Sequence, residues 1–251
     1  MFAALTFRAP AALFLIALLA AGPAGGAPAN NALPEIEYAS PTPSVWTTRL
    51  AANGEPANPL LHVADAIFAK AGIAWHGRSY PTARMFRYLQ DGDAQFSILV
   101  KSPALENCCL LSRQPITALE IRSYHLADKT PITRPQQLSG KRIITIHGYS
   151  YGDLHAIISD GSNRISNNIA PDHAAAFRML AERRADYVID YVGPATEILG
   201  ATPLPGLQSE LLSRQDAYLV LSKRYPDAAR IMARLENIAQ TLDIDRIMQS
   251  K

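Results

Sequence analysis

Apolar positions in the first part of the chain alternate between strand-like and helix-like spacing. Residues 59–72 place apolar side chains at helical intervals, and Gly72 follows as a stop signal. Residues 82–92 form a second amphipathic pattern, with Thr82 as a candidate N-cap. Short β-type runs separate these helices, at residues 35–40, 73–80 and 94–100. The order of strand, helix, strand, helix, strand predicts parallel βαβ units.

The alternation resumes after a β-rich connection at residues 116–127. Asp172 is a candidate cap for a helix with apolar residues at helical spacing, and the apolar segment YVIDYV that follows predicts a buried strand. A further strand is predicted at residues 216–222 and a helix at residues 226–243. The whole pattern predicts an α/β protein of two lobes, with the last strand and helix returning to the first lobe.

The first 29 residues predict an export signal. Arg8 precedes an apolar run at residues 11–21, and Ala27 and Ala29 form an A-x-A cleavage site. A membrane anchor is the alternative, but the apolar run is shorter than the roughly 20 residues that a spanning helix needs. We therefore expect a cleaved signal peptide and a periplasmic protein that is not membrane-embedded.

Charge and cysteine content disfavour several kinds of partner. The chain has 24 basic and 22 acidic residues, and no basic stripe with interleaved aromatics, so nucleic acid is not an expected partner. Cys108 and Cys109 are adjacent, which leaves a strained vicinal disulfide or two small buried thiols as alternatives. No nearby histidine or cysteine completes a metal ligand set, so we expect no metal.

A strand, a glycine turn and a helix start follow one another in IITIHGYSYGDLHAII, residues 143–158. The turn lacks the lysine of a P-loop and the third glycine of a dinucleotide fingerprint, so no nucleotide cofactor is expected. We expect Tyr149, Ser150 or Tyr151 to contact a ligand. The alternative is structural: Gly148 permits the turn, Ser150 caps the helix and the tyrosines pack.

Other side chains are candidates because they lie at strand ends or helix starts. Tyr38 and Trp46 lie in or just after the first strand, where they are suited to form an aromatic wall or to pack into the core. Arg84 begins a helix and points either to solvent or to a cleft. Asp190 ends a buried strand, where an unpaired carboxylate is rare, and this favours a ligand contact.

Four stretches of the chain, in this order, resemble the periplasmic solute-binding proteins of the polar amino-acid uptake type (extracellular solute-binding protein family 3). They are SYPTARMFRYLQDGDAQFSI, PQQLSGKRIITIHGYSYG, AAFRMLAERRADYVIDY and DAYLVLSKRYPDAARIMARLENIAQTLDIDRI. The resemblance implies the type II periplasmic binding protein fold. Its expected parts are a first lobe at residues 30–124 and 215–251, a second lobe at residues 125–214, and hinge strands near residues 119–126 and 213–219.

The resemblance also implies a function. A small polar solute, such as an amino acid, is expected in the cleft between the lobes, held by hinge closure. The protein is expected to be a monomer without a catalytic residue, delivering its solute to an ABC permease or acting on a membrane sensor. The alternatives are a dehydratase-like enzyme on the same fold, using His147 and Asp190 as base and acid, and a protein that binds a partner protein.

Two departures from the family bear on the ligand. Lys101 and Ser102 occupy the strand exit near which the family carries a carboxylate-gripping arginine, and Arg113 comes too late to match it. The family's amine-binding aspartate corresponds to Tyr191, with Asp190 one residue short. Both Asp190 and Tyr191 are therefore candidates to face the cleft.

Overall fold

The predicted alternation of strands and helices is present in the structure. The computed structural model describes residues 33–149 and 151–249, so the predicted signal peptide lies outside the described residues. The strands are β1 Ile36–Thr42, β2 Trp75–Pro81, β3 Phe96–Val100, β4 Cys109–Leu111, β5 Thr117–Leu126, β6 Arg142–Ile146, β7 Ser166–Ala170, β8 Tyr187–Tyr191 and β9 Leu207–Ser222. The helices are α1 Leu60–Ala71, α2 Thr82–Asp91, α3 Leu154–Ser159, α4 His173–Ala181, α5 Val192–Ala201, α6 Ala228–Ala239 and α7 Ile244–Gln249.

The C-terminal end of α1 and the N-terminal end of α4 are set by local chemistry that was predicted from the sequence. Helix α1 ends where Gly72 adopts a left-handed conformation, with φ of 59°. Helix α4 begins where the Asp172 carboxylate accepts a hydrogen bond of 2.7 Å from the backbone N–H of Ala175. Both predictions are confirmed. The N-cap of α2 differs, because Pro81 occupies the cap position and Thr82 is the first helical residue.

Some strands and helices of the structure differ from those that the sequence pattern predicts. Strand β1 continues through Pro41 to Thr42 instead of ending at the proline. Strand β3 pairs with β1 only at Tyr38 and Phe96, so the missing N–H of Pro41 costs no hydrogen bond on that side. Strands β4 and β7 and helix α5 were not predicted.

One sheet runs through the described residues, in the strand order β2-β1-β3-β9-β5-β8-β6-β7, with β4 paired to β9. Strands β1, β2 and β3 are parallel to one another, and so are β6, β7 and β8. Strands β5 and β9 are antiparallel along their shared length, from Thr117 opposite Ala217 to Leu126 opposite Leu207. We call the part built on β1–β4 lobe 1 and the part built on β6–β8 lobe 2. Strands β5 and β9 connect them and contain the predicted hinge segments.

Successive side chains of each strand point to opposite faces of the sheet, so each lobe has one core layer on each face. In lobe 1, Ile36 and Tyr38 of β1 pack against α1 and α6, while Ala39 packs on the opposite face with α2. In lobe 2, Ile143 of β6 packs on one face and Ile144 packs on the other, against α4. In each lobe, both faces of the sheet are therefore covered, as parallel strands require.

Cys108 and Cys109 are free thiols, but Cys108 is only half-buried, whereas the second alternative had both thiols buried. Cys109 is buried on β4, and this burial raises the pKa of its thiol. Among the helices that the structure describes, none combines the length and the apolar character needed to cross a membrane.

Candidate functional site

A cavity of about 280 Å³ lies between the two lobes. Lobe 1 contributes its walls from β1, the loop after it, α2 and β3, and lobe 2 contributes the glycine turn and the end of β8. The connecting strands β5 and β9 form the floor. The lining residues are Tyr38, Pro41, Pro43, Val45, Trp46, Asn58, Leu60, Thr82, Met85, Phe86, Ile98, Leu99, Val100, Leu119, Gly148, Tyr149, Gly152, Tyr191, Gln215 and Ala217.

Aromatic side chains face the cavity from both lobes. Tyr149 and Tyr191 form the lobe 2 wall, with their ring centroids 5.6 Å apart. Trp46 and Phe86 lie on the lobe 1 side, and Met85 adds a thioether beside them. Aromatic and thioether groups bind apolar and planar ligands through dispersion and ring contacts.

Polar groups in the lining are few and uncharged. Among the described residues, the polar groups are the side chains of Asn58, Thr82 and Gln215, three tyrosine hydroxyl groups and the indole N–H of Trp46. Burial raises the pKa of Tyr38, so its phenol is neutral at physiological pH. The Gln215 amide lies against Gly152, where a Cβ atom would overlap it. No described residue brings a carboxylate, ammonium, guanidinium or imidazole group into the lining.

The direction of the β8 side chains decides which of its last two residues meets the cavity. Successive residues of a strand point to opposite faces. Tyr187, Ile189 and Tyr191 share the face that is continuous with the cavity, whereas Val188 lies on the face covered by α4. Asp190 therefore points toward α4, and Tyr191 is the residue that lines the cavity.

Asp190 begins a hydrogen-bonded chain that reaches lobe 1. Its Oδ2 atom lies 2.8 Å from Nδ1 of His173, and Nε2 of His173 lies 2.9 Å from the Tyr149 hydroxyl. That hydroxyl donates a hydrogen bond of 2.9 Å to the carbonyl of Ser44. Asp190 and His173 are buried. The chain thus connects the cavity wall of lobe 2 to the loop that follows β1.

The positions of the protons along this hydrogen-bonded chain follow from which group donates in each hydrogen bond. The Tyr149 hydroxyl donates to Ser44, so it accepts from His173, which must carry a proton on Nε2. One further proton then lies between Nδ1 of His173 and Asp190. Burial raises the pKa of Asp190, while the hydrogen bond from His173 opposes this effect. Arg122, which is opposite Asp190 on β5, donates to Ser209 instead.

A second connection between the lobes involves residues 44–49, which we call the bridging loop. Glu197 on α5 of lobe 2 accepts hydrogen bonds from the Thr47 hydroxyl at 2.7 Å, from the Thr48 N–H at 2.7 Å and from the Thr48 hydroxyl at 2.8 Å. Arg49 adds an ion pair of 3.0 Å. Burial disfavours the ionised form of Glu197, but these hydrogen bonds together with Arg49 hold its pKa below the ordinary value.

Another opening, an open groove of about 660 Å³, lies along the connecting strands and α7. It contains charged side chains, including Glu120 and Arg214, which form an exposed ion pair of 3.0 Å with each other. Its walls include Asp216 and Asp245, and it is less enclosed than the cavity. Residues of both lobes line this groove as well, Trp46 and Gly193 among them. We take the cavity as the candidate site because it is the more enclosed of the two openings and because the glycine turn and the end of β8 line it.

Four of the sequence candidates meet in the cavity lining: Tyr38, Trp46, Tyr149 and Tyr191. Tyr151 lies behind this wall, in the core of lobe 2, where its ring stacks on Tyr191 and its hydroxyl accepts from the N–H of Ile146. Ser150 lies outside the described residues.

The remaining candidates lie away from the lining. Arg84 is exposed on α2, and His147 is exposed before the glycine turn. The Lys101 ammonium lies over the Tyr218 ring, 4.6 Å from its centroid. The Ser102 hydroxyl accepts from the N–H of Ala104 and caps a short 3₁₀ turn. The structure therefore does not pair His147 with Asp190, whose described partners are His173 and the backbone of Tyr191.

Sequence reasoning missed His173 and Glu197. His173 is the first residue of α4, and only the packing of that helix on β8 brings it to Asp190. Glu197 lies in the helix VGPATEILGA, whose one proline and two glycines lower its helix propensity, so the sequence pattern did not predict it. Pro194 was compatible with a helix start, because its missing N–H falls among the first four donors, which have no partner within the helix.

No protein-family model matches the sequence, and no curated protein matches it. Solved structures do resemble it in fold. A histidine kinase sensor domain with similarity to periplasmic binding proteins aligns at 18% identity over 85% of this chain and 93% of that chain, with a TM-score of 0.65. The GluR0 ligand-binding core in complex with L-glutamate aligns at 14% identity over 87% of this chain and 96% of that chain, also with a TM-score of 0.65.

An ancestral arginine-binding protein bound to arginine aligns at 13% identity over 85% of this chain and 96% of that chain, with a TM-score of 0.63. At these identities the likenesses show the fold. The predicted fold class, a two-lobed α/β protein of the periplasmic-binding type, is confirmed.

Proposed function

We propose that this protein binds a small molecule in the cavity between its lobes and that the lobes close around it. The observation that carries the proposal is the cavity itself, whose walls come from both lobes and whose floor comes from the two connecting strands. A ligand there contacts both lobes at once, so it favours the closed arrangement over an open one. Ligand sites of two-lobed proteins commonly occupy such a junction.

The two bridges between the lobes support closure as part of this function. The Tyr149–Ser44 hydrogen bond and the Glu197 hydrogen bonds to the bridging loop both join lobe 1 to lobe 2 beside the cavity. Closure of this kind is the step shared by uptake proteins, which present the closed form to a permease, and by sensors, which transmit it to a membrane kinase. The solved structures of similar fold include a binding protein and a kinase sensor domain. Both roles begin with the same binding step, which we place in the periplasm.

A thermal-shift screen of the mature protein against a library of small solutes tests this proposal. A ligand that binds only the folded protein raises the melting temperature in proportion to the logarithm of its concentration, once that concentration exceeds Kd. We expect at least one library compound to do so with one-to-one stoichiometry. A complete absence of shifts across neutral, cationic and anionic solutes would contradict the proposal.

A further inference from the structure

We infer that the cavity selects an uncharged, largely apolar molecule that contains an aromatic ring. This inference rests on the proposed function and specifies the ligand class of the same site. It departs from the polar amino acid that the sequence resemblance implies. Three groups of observations carry it: the placement of the charged side chains, the chemistry of the lining and the size of the cavity.

Three charged groups near the predicted site are engaged outside the cavity, and Arg84 is exposed on α2 and is not part of the lining. Arg113, the nearest arginine in sequence to the strand exit, pairs with Glu236 at 2.9 Å, and neither residue lines the cavity. Lys101 lies over the ring of Tyr218, and Asp190 points away toward His173. A ligand carboxylate or ammonium in the cavity would therefore lack a described counter-charge, and burying an uncompensated charge is strongly unfavourable.

The lining offers ring contacts instead. Tyr149 and Tyr191 present aromatic surface from lobe 2, and Phe86 with Trp46 presents it from lobe 1. A planar ring between these walls gains dispersion and ring-to-ring contacts on both sides. Gln215 supplies an uncharged amide group in the lining, which suits a single hydrogen-bonding group such as a phenol hydroxyl or an indole N–H. The amide oxygen of Asn58 is already engaged, because it accepts a hydrogen bond from the N–H of Leu60.

The volume matches a ligand of this class. An engineered apolar cavity of about 150 Å³ accepts benzene, so the cavity of about 280 Å³ accommodates a larger aromatic compound with one substituent or a fused ring. Indole and p-cresol are therefore suitable probes. L-tryptophan and L-tyrosine carry the same rings with an added ammonium and carboxylate, and so serve as matched charged controls.

Isothermal titration calorimetry on the mature protein at neutral pH compares these four compounds. We expect indole or p-cresol to bind with a Kd at least tenfold lower than that of the amino acid carrying the same ring. If the amino acids bind equally well or better, the inference is wrong and the proposed function stands. If none of the four binds but a charged or non-aromatic solute raises the melting temperature, the inference is also wrong. If no solute of any class binds, both the inference and the proposed function fail.

A pair of substitutions on α2 locates the binding site. Phe86 lines the cavity, whereas Tyr88 on the same helix packs against Tyr80, with ring centroids 4.9 Å apart. We expect Phe86→Leu to raise the Kd of the bound aromatic probe at least fivefold and Tyr88→Leu to change it less than twofold. Unfolding curves of both variants check that the fold is intact. Equal effects of the two substitutions would overturn the assignment of this cavity.

Discussion

The backbone carbonyl of Trp46 lies so close to the Cα atom of Gly193 that a Cβ atom at that position would overlap it. Trp46 belongs to the bridging loop of lobe 1, and Gly193 lies in the first turn of α5 in lobe 2. The contact is between backbones, so no side-chain rotation can relieve an added methyl group. Residue 193 must therefore be glycine for the lobes to approach this closely.

The substitution Gly193→Ala is expected to prevent full closure without harming lobe 2. Alanine is favoured over glycine inside a helix by about 1 kcal/mol, so α5 itself should tolerate it. We expect the radius of gyration in small-angle X-ray scattering to increase and ligand affinity to fall at least tenfold. Gly200→Ala is the matched control, because it lies in the same helix with no atom near its added Cβ. The same scattering curve and the same affinity for both variants would contradict a closed state that depends on this contact.

Removing the Glu197 carboxylate is expected to weaken the second bridge. Glu197→Ala leaves the Thr47 and Thr48 donors without their acceptor, and hydrogen bonds to charged groups contribute about 1.5–3 kcal/mol each before solvent screening. Because Glu197 is partly exposed, we expect a total loss of about 1–2 kcal/mol in the free energy of unfolding, measured in urea. Glu182→Ala is the control, since its ion pair with Arg184 is exposed and should contribute less than about 0.5 kcal/mol.

The buried pair of His173 and Asp190 should respond asymmetrically to substitution. His173→Ala leaves the Asp190 carboxyl group buried without its partner, and such losses cost about 3–5 kcal/mol. Asp190→Asn keeps the size of the side chain and can donate to Nδ1 of His173, so we expect a cost of about 1 kcal/mol. In the double variant, the cost should be smaller than the sum of the two single costs. Additive costs in chemical denaturation would show that the two groups do not interact.

Asp190 should also contribute to the pH dependence of stability. Burial raises its pKa in the folded protein above the ordinary value, so the folded state binds the proton more tightly than the unfolded state. The resulting stabilisation is complete below the pKa of the unfolded carboxyl group and is lost as pH rises through the folded pKa. Unfolding free energies measured from pH 4 to 8 should therefore fall more with rising pH in the wild type than in Asp190→Asn. Parallel curves for the two proteins would refute a raised pKa.

The parts of the fold that were predictable have local causes. Gly72 ends α1 and Asp172 begins α4 through backbone and capping chemistry that involves only neighbouring residues. Helix α5 was missed because Gly193, Pro194 and Gly200 lower its helix propensity, while packing against β8 and the bridging loop stabilises it.

The candidate site was less predictable because it depends on contacts between distant segments. The sequence placed Asp190 and Tyr191 together, and only the pairing of β8 within the sheet fixes which of them faces the cavity. His173 reaches Asp190 through the position of α4 on that sheet, and Lys101 lies away from the lining because its ammonium group packs over the ring of Tyr218. Phe86 lies within the amphipathic helix predicted at residues 82–92, and only the approach of the second lobe makes its side chain part of a cavity wall.

Fluorescence of Trp46 tests the central claim, that a ligand binds between the lobes, most directly. The chain contains two tryptophans, and Trp75 on β2 packs against Phe68 outside the cavity lining. Trp75→Phe therefore leaves Trp46, which lines the cavity, as the single reporter. We predict that the aromatic probe or the solute found by thermal shift changes the Trp46 emission in a saturable one-to-one manner, with the Kd found by calorimetry. Calorimetric binding of that compound with no change in Trp46 emission would contradict a site between the lobes.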